Sequence, residues 1–108
     1  MARHAIPDLL PGTLDMLILR TLQTGSMHGW AISERIQQIS RDVLQINQGS
    51  LYPALYRLEG AELLASRWTT VGGRRRRVYR LTRRGRARLA RERKEWRAFA
   101  GAMEAVTA

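Results

Sequence analysis

The sequence contains no cysteine. That excludes a disulfide framework, a thiolate nucleophile and any cysteine-based metal site, and it fits a reducing cytosol. Histidine occurs twice, as His4 and His28, and Asp8, Asp15 and Asp42 show no paired spacing. Acid–base or nucleophilic catalysis needs convergent groups, so no enzyme activity, metal or cofactor is expected. No apolar run approaches the ~18 residues of a membrane span. Residues 1–11 lack the apolar stretch and small-residue cleavage site of a signal peptide. A cytoplasmic protein independent of membranes is expected. Lysine is almost missing as well: Lys94 is the sole one among 19 basic residues.

What is present is arginine. The 108 residues carry a formal net charge of +10, and a strongly basic chain of one-domain size most often meets nucleic acid. The planar guanidinium suits phosphates and guanine edges alike. A GC-rich genome and a solvated basic face would also produce such a composition.

Periodicity divides the chain. Residues 1–8 read as an arm, and Asp8 or Thr13 is positioned to cap a first helix. Leu14, Leu17, Ile18, Thr21 and Leu22 form the stripe of that helix, and Gly25 stops it. Leu10, Met16 and Leu19 lie off the stripe, so the helix is expected to be covered on a second side, by a partner subunit. A second helix is expected over 28–40, with Ile32, Ile36 and Ile39 on its apolar face. A third is expected over about 48–61, with Leu51, Leu55 and Leu58 inward. Either Asn47 caps it, leaving Pro53 beyond the first turn, or Ser50 does, placing Pro53 in the tolerated opening turn. Two β-prone runs joined through Gly72 and Gly73 then read as a hairpin whose tip carries Arg74, Arg75, Arg76 and Arg77. Thr82 caps a last helix in which Leu89, Trp96, Phe99, Met103 and Val106 form a short, broken a/d seam.

The order helix, helix, helix, hairpin, helix defines the expected fold class: mainly α with a small β-hairpin, a winged helix-turn-helix over 1–81 followed by a C-terminal dimerisation helix over 82–108. In such a unit the third helix enters the major groove and the hairpin meets the adjacent backbone or minor groove. The candidate DNA contacts are Ser50, Tyr52, Pro53, Tyr56 and Arg57 on the third helix, and Arg74, Arg75, Arg76 and Arg77 on the wing at 72–77. Tyr52 and Tyr56 read equally well as packing residues. The wing arginines are harder to explain without a partner, because adjacent like charges repel.

These residues carry a resemblance. The run Leu14-Asp15-Met16-Leu17-Ile18-Leu19 followed by His28-Gly29-Trp30-Ala31-Ile32, the stretch from Gly49 to Glu59, and Trp68 with Gly73 to Thr82 and Gly85 together resemble the PadR family over nearly the whole chain. The resemblance implies a dimeric transcriptional regulator, usually a repressor, of the compact subgroup with a single C-terminal helix. It departs from the family pattern at Trp30, where Tyr is common, and at Ser50, where Thr is common. It further implies a homodimer built from the first and last helices, with Leu10, Leu14, Leu89, Trp96, Phe99, Met103 and Val106 in the interface. In some compact members flat aromatic effectors stack between tryptophans at the position of Trp96; filling of the dimer core explains the same residues. The expected partner is double-stranded DNA bearing a pseudo-palindromic operator. The alternative is a non-specific basic module binding RNA or the ribosome, whose charge would be spread over many faces.

Overall fold

The computed structural model describes residues 12–108. The arm, with Asp8 and the interface candidate Leu10, lies outside the described residues. Four helices and three strands follow in the order α1 (Thr13–Leu22), β1 (Met27–His28), α2 (Gly29–Ile39), α3 (Gln48–Gly60), β2 (Leu64–Val71), β3 (Arg74–Leu81) and α4 (Arg83–Thr107). This is the expected mainly helical winged architecture. Its sheet has three antiparallel strands in the order β1-β3-β2, so the strand bearing the arginine run is central.

Local chemistry explains the boundaries. Gly12, in the left-handed region at φ 86°, stands at the N-cap of α1 in place of Asp8 or Thr13. Asn47 caps α3: its Oδ1 accepts from the Ser50 N–H at 2.8 Å. Pro53 therefore sits past the first turn, where it has no N–H to complete the backbone ladder. Gly72 and Gly73 both have positive φ, at 58° and 77°. They form the two-residue loop of a hairpin in which Val71 pairs with Arg74 and Leu64 with Leu81.

β1 is the element the sequence reading lacks. Two residues are too few for a period-2 signal, and Met27 and His28 pair with Tyr79 and Val78 only through the tertiary fold. The second helix accordingly starts at Gly29 rather than His28. The expected apolar face of that helix is also corrected. Ile32 and Ile36 are buried, but Ile39, in the last turn, is 66% exposed, beyond the reach of the core among the described residues.

The core gathers Ile18, Leu19 and Leu22 from α1, Ile32 and Ile36 from α2, Leu51, Ala54, Leu55 and Leu58 from α3, Leu64, Tyr79 and Leu81 from the sheet, and Leu89 from α4. Leu19 lies off the stripe read in sequence yet is fully buried within this chain, so no partner is needed to cover it.

α4 is seated by a close backbone approach. Thr82 caps it, its Oγ accepting from the Gly85 N–H at 3.0 Å. A Cβ added at Gly85 would lie 2.1 Å from the Leu63 carbonyl oxygen, a backbone atom that cannot rotate away. Gly101, further along the same helix, has nothing within 4 Å of that position. We expect Gly85→Ala to lower the unfolding free energy by about 2–3 kcal/mol. Gly101→Ala should raise it by up to about 1 kcal/mol. Urea titration followed by circular dichroism checks both, and an unaffected Gly85→Ala protein would contradict this seating.

Candidate nucleic-acid interface

The inward leucines of α3 fix what its other face presents. With Leu51, Leu55 and Leu58 in the core, the exposed side carries Gly49, Ser50, Pro53, Tyr56 and Gly60, with Tyr52 and Arg57 on its flanks. Tyr56 is 83% exposed and touches no aromatic neighbour among the described residues. Tyr52 lies over the start of α2, where a Cβ at Gly29 would come within 2.9 Å of its ring. Half of its surface is therefore spent on packing, and Gly29 is what permits the approach.

Arg57 points outward but is not free. It donates to the Asp15 carboxylate of α1. The contact engages Nη2 alone, with a partner 42 positions away in sequence, and leaves Nε and Nη1 without a partner among the described residues.

The four wing arginines are not one cluster at the hairpin tip. They form the outer half of β3, and strand alternation sends them to two faces. Arg75 and Arg77 share a face with Trp68, their guanidinium carbons lying 4.9 and 5.6 Å from its ring centroid. Arg77 also donates from Nε to Ser66 Oγ at 2.8 Å and from Nη2 to both oxygens of Glu59 at 3.2 Å. Ser66 completes the loop by donating to Glu59 at 2.6 Å. One of the four thus has an acid of this chain as its partner: Glu59, at the carboxyl end of α3, holds Arg77 as a strut between α3 and the wing. On the other face Arg76 donates to His28 Nε2 at 3.1 Å, which requires that nitrogen to be the acceptor. Arg74 is exposed beside the turn with no partner among the described residues. Sequence reasoning missed Glu59, Ser66, Trp68 and His28 as organisers of the wing. A carboxylate eighteen positions from its arginine leaves no local pattern.

Tyr79 sits under this network. Burial pushes its hydroxyl above the usual value near 10.0; Arg77 opposes the shift, while Glu59 and Tyr52 add to it.

The interface candidates are divided too. Leu89 is 1% exposed and belongs to the chain's own core. Leu14 is half-buried against that core. Trp96, Phe99 and Met103 are about half exposed and Val106 is 85% exposed, and the Trp96 and Phe99 rings contact each other at 5.9 Å. A groove beside Trp96 is lined by Met16, Leu17, Arg20, Arg93 and Arg97. No group of three or more metal-ligating side chains occurs among the described residues. Among the described residues no helix is long and apolar enough to cross a membrane.

Three helices, a recognition-type third helix and a sheet-borne wing define a winged helix-turn-helix protein. Residues 18–91 match the model of the transcriptional regulator PadR-like family, and the chain belongs to that family. A transcriptional regulator of Mycobacterium tuberculosis is 42% identical over 77 residues, covering 71% of this chain and 69% of that one. The crystal structure of a PadR family transcription regulator from Clostridium difficile is similar with a TM-score of 0.78 at 29% identity, covering 90% of this chain and 100% of that chain. Bacillus subtilis PadR, crystallised in complex with operator DNA, shares the fold with a TM-score of 0.68 at 24% identity, covering 73% of this chain and 45% of that chain.

Two outcomes follow from the wing network. A double-mutant cycle on Glu59→Gln and Arg77→Gln should give a coupling of about 1 kcal/mol in unfolding free energy, and additive effects would contradict the strut. Tyr79 contributes a pH dependence at the alkaline end. Its proton leaves the unfolded chain first as pH rises, so the stability from the neutral hydroxyl is present below pH 10.0 and lost as pH climbs through the higher folded value. Wild-type protein should lose stability above about pH 10, and Tyr79→Phe should remove that part of the loss.

Proposed function

We propose that this PadR-family member is a sequence-specific, double-stranded DNA-binding transcriptional regulator, a repressor acting as a homodimer. Residues up to Leu81 serve as the reading head, and residues 82–108 as the dimerisation helix. The observation that carries the reading is the exposed face of α3. Ser50, Pro53 and Tyr56 lie there with small Gly49 and Gly60, a surface low enough to sink into a major groove. Ser50 also stands in the opening turn, where the positive end of the helix dipole favours phosphate. Tyr52 supplies a hydroxyl at the flank, and Arg57 reads a base or phosphate. Arg74, Arg75 and Arg76 follow the backbone from the wing, while Arg77 holds the wing to α3. The operator complex of Bacillus subtilis PadR supports DNA as the partner.

The dimer rests on the exposed seam of Trp96, Phe99, Met103 and Val106. Packing against a second copy removes this apolar strip from water. A flat aromatic effector would stack on Trp96, and Arg20, Arg93 and Arg97 around that groove favour an acidic one.

Fluorescence anisotropy with duplex DNA from the gene's own upstream region, against a scrambled duplex, tests the reading. We expect preference for the native duplex, saturation at one dimer per pseudo-palindrome, and a ~10³–10⁵-fold loss of affinity between 50 and 200 mM salt if ~6–10 phosphates are neutralised. Replacing Arg74, Arg75 and Arg76 with alanine should flatten that salt dependence and leave the sequence preference intact. Equal, steeply salt-dependent binding of every duplex offered would overturn the reading in favour of a non-specific basic module.

A further inference from the structure

α4 carries two opposite surfaces. At about 100° per residue, Leu89, Trp96, Phe99, Met103 and Val106 occupy one arc. Arg83, Arg86, Arg91 and Lys94 occupy the opposite arc, roughly 140° wide, and Arg97 continues it to the edge of the Trp96 groove. All five cations are exposed. Their neighbours Arg84 and Arg88 are held by Glu62 and Glu92. The five ridge side chains have no hydrogen bond or ion pair among the described residues. Glu92 and Glu95 fall outside the arc, and between the cations stand only Ala87, Ala90 and Ala98. From Arg83 to Arg97 the ridge runs ~21 Å along a helix.

The fold gains nothing from this arrangement. Arg83 with Arg86, Arg91 with Lys94, and Lys94 with Arg97 are like charges three positions apart, each pair costing a few tenths of a kcal/mol. Apart from Arg97, which borders the groove shared with α1, the ridge also faces away from the side of α4 that packs on α1 and from the seam assigned to the dimer.

We infer that this ridge is a second polyanion-binding surface, one that takes the phosphate backbone of duplex DNA outside the half-site assigned to α3 and the wing. The inference rests on the regulator reading only for the identity of the polyanion. The ridge itself selects among partners. Insertion into a membrane needs an apolar face, and this arc offers alanine alone. A protein partner would need an aromatic or aliphatic anchor in a desolvated pocket, and none stands on the arc. A straight row of cations separated by small residues fits a rod of regularly spaced phosphates, which needs charge and close approach but no side-chain pockets. The phosphates belong either to the flanks of the bound operator or to a second duplex.

The test compares the full-length wild type with the triple variant Arg83→Gln/Arg91→Gln/Lys94→Gln. These side chains are exposed and unpartnered, so the variant should keep its thermal melt. With a random-sequence duplex of about 40 bp, the log–log salt slope should be shallower by about 2–3 per chain in the variant. Loss of slope on that duplex but not on one of about 18 bp assigns the ridge to operator flanks. Loss of colocalisation between two differently labelled duplexes assigns it to a second molecule. Identical slopes for the two proteins on every duplex would overturn the inference. So would ridge-dependent binding of poly-glutamate or anionic vesicles tighter than that of DNA. Failure of the regulator reading is separable: it shows as no preference for native over scrambled duplex in wild type, whatever the ridge does to the salt slope.

Discussion

One carbonyl oxygen, that of Leu63, joins the parts of this protein. It accepts from the Thr82 backbone N–H at 3.2 Å and lies 3.0 Å from the Thr82 hydroxyl. Gly85 passes so close to it that no side chain fits between. Leu63 ends the turn after α3, and Thr82 ends the wing and begins α4. The recognition-type helix, both strands of the hairpin and the long helix therefore share one fixed point. A shift there would change the angle of the wing to α3 and of α4 to both.

A second tie lies further out. Glu59, Ser66 and Arg77 bind the carboxyl end of α3 to the middle of the hairpin, and β1 binds the opposite edge of β3 to the start of α2. The wing is thus held from both sides along its inner half and left open only towards Gly72 and Gly73. Basic residues that share one run in sequence divide in function because of this: Arg77 serves the fold, Arg75 and Arg76 have contacts that a phosphate can replace, and Arg74 is open.

Most of the architecture was legible in the sequence because its signals are local. The leucine spacing of α3, the Gly-Gly turn and the threonine cap of α4 each act within a few residues, and each element stands where those signals put it. The choice between Asn47 and Ser50 as cap was not legible, since either side chain satisfies the rule until the backbone is seen. Pairings at long separation were out of reach: Asp15 with Arg57, Glu59 with Arg77, and His28 with Arg76 are products of topology. The same limit explains Leu89, which falls in step with the α4 seam yet turns inward because Gly85 seats its end of the helix in the core.

Trp68 has a consequence for how this molecule can be watched. Its indole is 55% exposed and lies against the guanidinium groups of Arg75 and Arg77. When Arg75 leaves that ring for an anion, the indole loses a stacked cation and gains water or a ligand in its place. The other tryptophans, Trp30 and Trp96, sit on α2 and α4. The hairpin therefore holds an intrinsic optical reporter of its own engagement, readable without any attached dye.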